Sequence, residues 1–175
     1  MSATLGNGNI TFGDGTVQST AARIQNKVSL SNALYDIPSW VKYIKLFVSG
    51  QSLSGTDSLL LRLGTSNSTY ATTGYISSSG VNTNAPSFGT YSNTTGFIIH
   101  VGNGAYTLAN GGQISLVKHS STVWTCSHLV GTSTGRVVSG GGVVDIGGPL
   151  VAAQFFASGS NTIDGIGYIK AIYMG

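Results

Sequence analysis

Cys126 and His128 stand two residues apart in "TVWTCSHLVG". On a β-strand this spacing sets both side chains on one face, where a thiol and an imidazole can form a nucleophile–base pair. No third group to orient the imidazole is evident, and the competing reading is a small buried cysteine that packs as a hydrophobe. His100, His119 and His128 are the three histidines, and their spacing follows no metal-ligand pattern. The five acids, Asp14, Asp36, Asp57, Asp145 and Asp164, are spread along the whole chain, and there is no Glu. Glycoside cleavage by paired carboxylates wants two acids placed across a substrate. Asp14, Asp57 and Asp164 instead stand beside Gly or Thr, as turn residues do. The run "SGGGVVDIGG" lacks the G-x-x-x-x-G-K spacing of a phosphate loop, so Gly140 to Gly142 read as a turn or bulge. These residues point away from an enzyme, and they call for no cofactor and no metal.

The elements that position them are read from composition and pattern. The chain has 175 residues, which favours one domain with at most a small appendage. Hydrophobic residues make up 41% and charged residues only 7%, with 26 glycines, a mixture that suits short strands and tight turns rather than disorder. The net charge of +3 comes from scattered Lys and Arg, so no basic stripe argues for nucleic acid. One cysteine excludes an internal disulfide. The start "MSATLGNGN" shows no signal peptide, and the longest near-apolar run, "PLVAAQFFA", is too short for a membrane span. Asn9, Asn67 and Asn93 satisfy the glycosylation triplet, but without a secretory signal no glycan is expected.

Strand patterns dominate. They are expected at "WVKYIKLFV", "SLLLRLG", "GFIIHVG", "GQISLVKHS", "TVWTCSHLVG", "GGPLVAAQFFASG" and "GIGYIKAIYMG". In the first, Ile44, Leu46 and Val48 form one alternate set and Val41, Tyr43 and Phe47 the other, so both faces are expected to be covered. "YIKLF" and "YIKAI" suggest neighbouring strands in one sheet. Short strands broken by Gly, Ser and Asn read as an all-β, antiparallel, jelly-roll-like β-sandwich. Residues 65–93 are polar and studded with tyrosines; they read mostly as a long loop, with one short strand around Tyr75.

"ITFGDGTVQSTAA" resembles a motif of bacteriophage tail fibre and related virion proteins, through Ile10, Phe12, Asp14, Gly15, Thr16, Gln18, Thr20, Ala21 and Ala22. That motif usually carries Pro or a similar residue where this chain has Gly13. Ile37 to Lys42, Leu63 to Ser66 and Gly74-Tyr75 resemble segments of the C-terminal β-sandwich of phage fibres. Together the two matches cover roughly half of the chain, and the remainder has a compatible strand rhythm. The resemblance implies a homotrimeric virion protein, made in the host cytoplasm and carried on the tail or particle surface. Residues 1–25 would be an extended attachment and trimerisation segment that meets other virion proteins, and residues 26–175 the sandwich. Three copies of the lead would bury Ile10, Phe12 and Val17 around an axis, with Gln18 in the same segment and Asp14-Gly15 as its turn.

A fibre or fibre tip would bind a host cell-surface polysaccharide. Aromatic rings stack on sugar faces and amides read hydroxyls, which selects Tyr70, Tyr75, Asn82, Asn84, Phe88, Tyr91 and Asn93. The competing reading places these aromatics in the core or between subunits. The alternative function is a purely structural virion protein, a baseplate adaptor, head fibre or capsid decoration. A polysaccharide-cleaving spike would need the paired acids that the sequence does not offer.

Overall fold

Alternation of apolar and polar residues decides where most strands form, and backbone pairing decides the rest. The computed structural model describes residues 3–6, 9–12, 17–18, 24–29, 31–82, 88–101, 106–107, 111–133, 135–165 and 167–175. Among them there are strands and no helix. In chain order these are β1 (Ala3–Gly6), β2 (Asn9–Phe12), β3 (Val17–Gln18), β4 (Ile24–Ser29), β5 (Ala33–Leu34) and β6 (Tyr43–Ser49). There follow β7 (Ser52–Leu53), β8 (Leu59–Gly64), β9 (Ile76–Asn82), β10 (Phe88–Asn93), β11 (Phe97–His100) and β12 (Tyr106–Thr107). The last six are β13 (Gly112–Lys118), β14 (Val123–Gly131), β15 (Val137–Asp145), β16 (Ala152–Ala157), β17 (Ile163–Gly165) and β18 (Tyr168–Met174).

Two antiparallel sheets enclose one core, a sandwich-like arrangement. The larger has eight strands in the order β10-β9-β15-β14-β13-β6-β18-β4, and the smaller has four, β11-β8-β16-β5. A short three-stranded sheet, β12-β7-β17, joins loops beside them. Strands β13 and β14 pair as expected, and so do β6 and β18, with Leu46 opposite Ala171. Ile44, Leu46 and Val48 point inward with Ile114, Leu116, Trp124, Val130, Ile169 and Tyr173. The smaller sheet adds Leu59, Leu61, Leu63, Phe97 and Phe155. Each such side chain contributes about 1.5–3 kcal/mol on burial. The second apolar set of β6 is not covered to the same degree, since Phe47 remains 37% exposed.

The lead folds back on itself. β1, β2 and β3 form their own antiparallel sheet, with Phe12 opposite Ala3, Ile10 opposite Gln18 and Thr11 opposite Val17. The extended strands satisfy backbone groups by pairing with one another. Asp14 and Gly15, the expected turn, lie outside the described residues.

Two other expectations change. Residues 65–93 are not mostly loop, because β9 and β10 pair from Ser77↔Asn93 to Asn82↔Phe88. Gly140 to Gly142 make neither turn nor bulge; they sit within the nine-residue strand β15, paired with β14 and β9 on its two sides. The glycines are required by close approach. A Cβ on Gly141 would stand 2.3 Å from the carbonyl oxygen of Cys126, and one on Gly140 2.3 Å from that of Ser78.

Candidate functional site

The outward face of the four-stranded sheet gathers the residues best suited to meet a ligand. Leu59, Leu61 and Leu63 alternate inward along β8, which turns Arg62 outward. Arg62 pairs across the sheet with Gln154 of β16, and Phe156 follows two residues on along the same face. The guanidinium carbon of Arg62 lies 4.9 Å from the centre of the Phe156 ring, a cation–π contact. Its Nε donates to the carbonyl of Thr95 at 2.7 Å, which fixes the plane of the group. Tyr70 forms an isolated bridge with Gly64 just beyond β8. Its ring packs edge-on against Phe156 at 5.1 Å, and its hydroxyl donates to the carbonyl of Asn67 at 3.2 Å.

Asn67 carries the site on to Asp36. The Asn67 amide nitrogen donates to the Asp36 carboxylate at 2.8 Å, while its oxygen accepts from the Asp36 backbone N–H at 3.2 Å. This reciprocal pair holds Asp36 at φ 57°, a left-handed conformation that Asp tolerates better than most residues. Tyr35 is exposed next to it, and its carbonyl accepts from the Lys27 ammonium. Burial, with the Tyr35 hydroxyl close by, pushes the Tyr70 hydroxyl up to about 12, so it stays a neutral donor and acceptor. The face therefore presents aromatic edges, one oriented cation, one carboxylate and amides. It has the means to stack on a ring and to hydrogen-bond hydroxyls.

Of the residues selected from sequence, Tyr70 alone belongs to this cluster directly. Asn93 borders it, since its Oδ1 accepts from the Thr95 N–H at 2.7 Å and so shapes the loop that holds Arg62. Tyr75 is 1% exposed and lies in the core. Its ring meets Phe97 edge-on at 5.0 Å and its hydroxyl accepts the Leu63 N–H at 2.8 Å, so no ligand can reach it. Tyr91 and Asn82 are exposed on the β9–β10 hairpin. Phe88 opens β10, and Asn84 lies outside the described residues. Ile10, Phe12, Val17 and Gln18 fall in β2 and β3. Arg62, Phe156, Tyr35, Asn67 and Asp36 were not selected, because no local pattern ties residue 62 to residue 156.

Several other chemistry-bearing groups lie in the core or tie strands and loops together. Cys126 and His128 do share the inward face of β14. Burial raises the Cys126 thiol far above its usual range and lowers His128 to about 4. His128 Nε2 lies 3.2 Å from Ser79 Oγ, but that hydroxyl donates to the Ile98 carbonyl and is buried, so it cannot serve as a nucleophile. Ser77 and Ser79 instead tie β9 of the larger sheet to β11 of the smaller, with Ser77 Oγ accepting the Ile98 N–H at 2.9 Å. Asp57 accepts the Asn161 N–H and so ties two loops, and Asp164 of β17 accepts from Ser52 of β7. Among the described residues no three His, Cys, Asp or Glu side chains stand close enough to hold a metal, and no helix is long and apolar enough to cross a membrane. No family model, no curated protein and no solved structure matches this chain.

Proposed function

We propose that this chain is a bacteriophage tail fibre or fibre-tip protein, a homotrimeric virion component that attaches to a host cell-surface polysaccharide. The observation that carries the binding reading is the half-buried stack of Tyr70, Phe156 and Arg62, braced by Thr95 and continued by the exposed Asn67 and Asp36. Rings of this kind cover sugar faces, and the flanking amide, carboxylate and guanidinium groups are of the types that hydrogen-bond sugar hydroxyls. The lead motif around Ile10, Phe12 and Gln18 supports the virion reading through its resemblance to fibre proteins, and it assigns the N-terminal segment to contacts with other virion proteins. Aromatic platforms and hydroxyl-rich surfaces also suit a protein that works outside a cell with few charges, here 7%.

The test is a glycan array of bacterial surface polysaccharides probed with the labelled full chain and with Phe156→Ala and Arg62→Ala variants. Saturable binding by the native chain, reduced tenfold or more in both variants, supports attachment through this face. Absence of binding in a folded, oligomeric protein moves it to the purely structural class of virion components.

A further inference from the structure

We propose that the outward face of the eight-stranded sheet is covered by a second copy of this chain. Of the large apolar side chains left exposed among the described residues, all but Tyr35 and Tyr91 lie on this one face. Phe47, Ile76, Val117, Leu129, Val137 and Tyr168 come from six different strands, yet the register brings them onto the same side. Leu129 is 49% exposed and Ile76 75%, whereas their inward neighbours His128, Val130 and Ser77 are buried.

The face has a relief. Phe47, Leu129 and Val137 rim a hollow over Gly112 and Gly131, and Val117, Val143 and Ile76 lie along one cross-strand row with Thr125. Between them Ser115, Ser127, Gly141 and Ser78 stand opposite one another in a single cross-strand row, all small. Around a threefold axis the contact is heterologous, with an apolar row of one copy lying along the row of small residues of the next. Charge agrees with this occupant. The central strands β13 and β14 turn no charged side chain outward, and only Lys45, Lys170 and Asp145 flank them. A second copy brings the same neutral surface, so closing the contact strands no charge in its middle.

Size agrees as well. Eight strands about 4.8 Å apart span about 34 Å, and strands of about seven residues run about 23 Å. The face therefore offers about 800 Å², the area one partner contributes to a standard stable interface. The exposed apolar side chains spread over this face are the kind of patch that marks a protein–protein contact. The inference goes beyond the proposed trimer by placing subunit contact in the sandwich itself rather than in the lead segment alone.

The experiment is the solution mass of the full chain by light scattering, for the native protein and for a Leu129→Lys, Val137→Lys double variant, with circular dichroism as the check on folding. The native chain is expected at a multiple of 17.9 kDa and the variant shifted to 17.9 kDa with its β spectrum intact. Should the double variant not fold, Ser127→Arg fills the row of small residues without removing any apolar contact within the subunit and is expected to give the same shift. A native chain at 17.9 kDa overturns both this inference and the trimer. Folded variants that keep the native oligomer overturn this face alone and leave the trimer to the lead segment. Polysaccharide binding through Phe156 and Arg62 sits on the other sheet and is judged separately.

Discussion

Lowering the pH should destabilise this protein well before its carboxylates titrate, because two histidines are buried neutral. His100 and His128 both have their protonation pushed down to about 4, chiefly by burial, with the Arg136 charge adding to the effect at His100. In the unfolded chain each returns to about 6.5. The unfolded state therefore binds more protons between those two values, and stability falls as the pH drops through that window. Above pH 6.5 the native state has its full stability; below pH 4 this source of loss is complete. At pH 5 the loss is about 2 kcal/mol for each histidine, at about 1.4 kcal/mol per pH unit, so about 4 kcal/mol together. That is a large share of the 5–15 kcal/mol by which domains are stable, and it corresponds to a fall in Tm of about 8–16 °C for a chain of this size. Thermal unfolding followed by circular dichroism from pH 8 to pH 4 reads it directly. His128→Gln can still reach Ser79 but titrates nothing, so its curve should lose one of the two protons of slope. Asp145, lowered by the Gly147 N–H and then by Thr122, adds its own loss only further down, as the pH falls below the usual carboxylate range. A native midpoint that stays flat from pH 7.5 to pH 5 would refute the burial of both imidazoles.

Two substitutions test the packing. Tyr75→Phe keeps the edge contact with Phe97 but leaves the Leu63 N–H without its acceptor, which should cost about 1–3 kcal/mol in urea unfolding while glycan binding is unchanged. Gly141→Ala forces a methyl against the Cys126 carbonyl, 2.3 Å away, and should destabilise by about 1–3 kcal/mol or more through separation of β14 from β15; a variant as stable as the native chain would mean that these strands are not so closely paired.

The sequence-readable part of this fold is the part that alternates. In β6, β13 and β14 apolar residues recur at alternate positions, Ile44, Leu46 and Val48, Ile114 and Leu116, and Trp124, Cys126 and Val130, and those side chains do point into the core, joined there by His128. The hairpin of β9 and β10 was invisible for a physical reason. "ISSSGVN" carries little apolar signal because two of its inward positions are Ser77 and Ser79, whose hydroxyls bind the backbone of Ile98 instead of filling volume. Likewise the glycines of β15 look like a breaker until the backbones of β9 and β14 are seen to press against them from both sides. Tyr75 and Tyr70 are five residues apart and alike in sequence, yet one hydroxyl is spent on Leu63 in the core and the other faces Asn67 at the surface. Only the long-range pairing of β8 with β16 separates them, and the same pairing creates the Arg62–Phe156 contact.

The two outward faces differ in a way that one chain can use twice. The four-stranded face is polar and aromatic, with a cation held in plane by Thr95 and a carboxylate held by Asn67. The eight-stranded face is broad and neutral. A small-ligand site needs fixed hydrogen-bonding groups and little area, whereas a subunit contact needs area and few unpaired charges. If the faces serve those two ends, their substitutions should be independent, since the hydrophobic core separates them by more than the distance over which side chains couple. Leu129→Lys with Val137→Lys should then lower the mass and leave the intrinsic affinity of each subunit for polysaccharide unchanged, while the loss of avidity weakens attachment to whole cells. Arg62→Ala should do the reverse, abolishing binding in an oligomer of native mass. Loss of both properties from either substitution would mean that the sheets communicate through the core, and that neither face can be assigned by its surface chemistry alone.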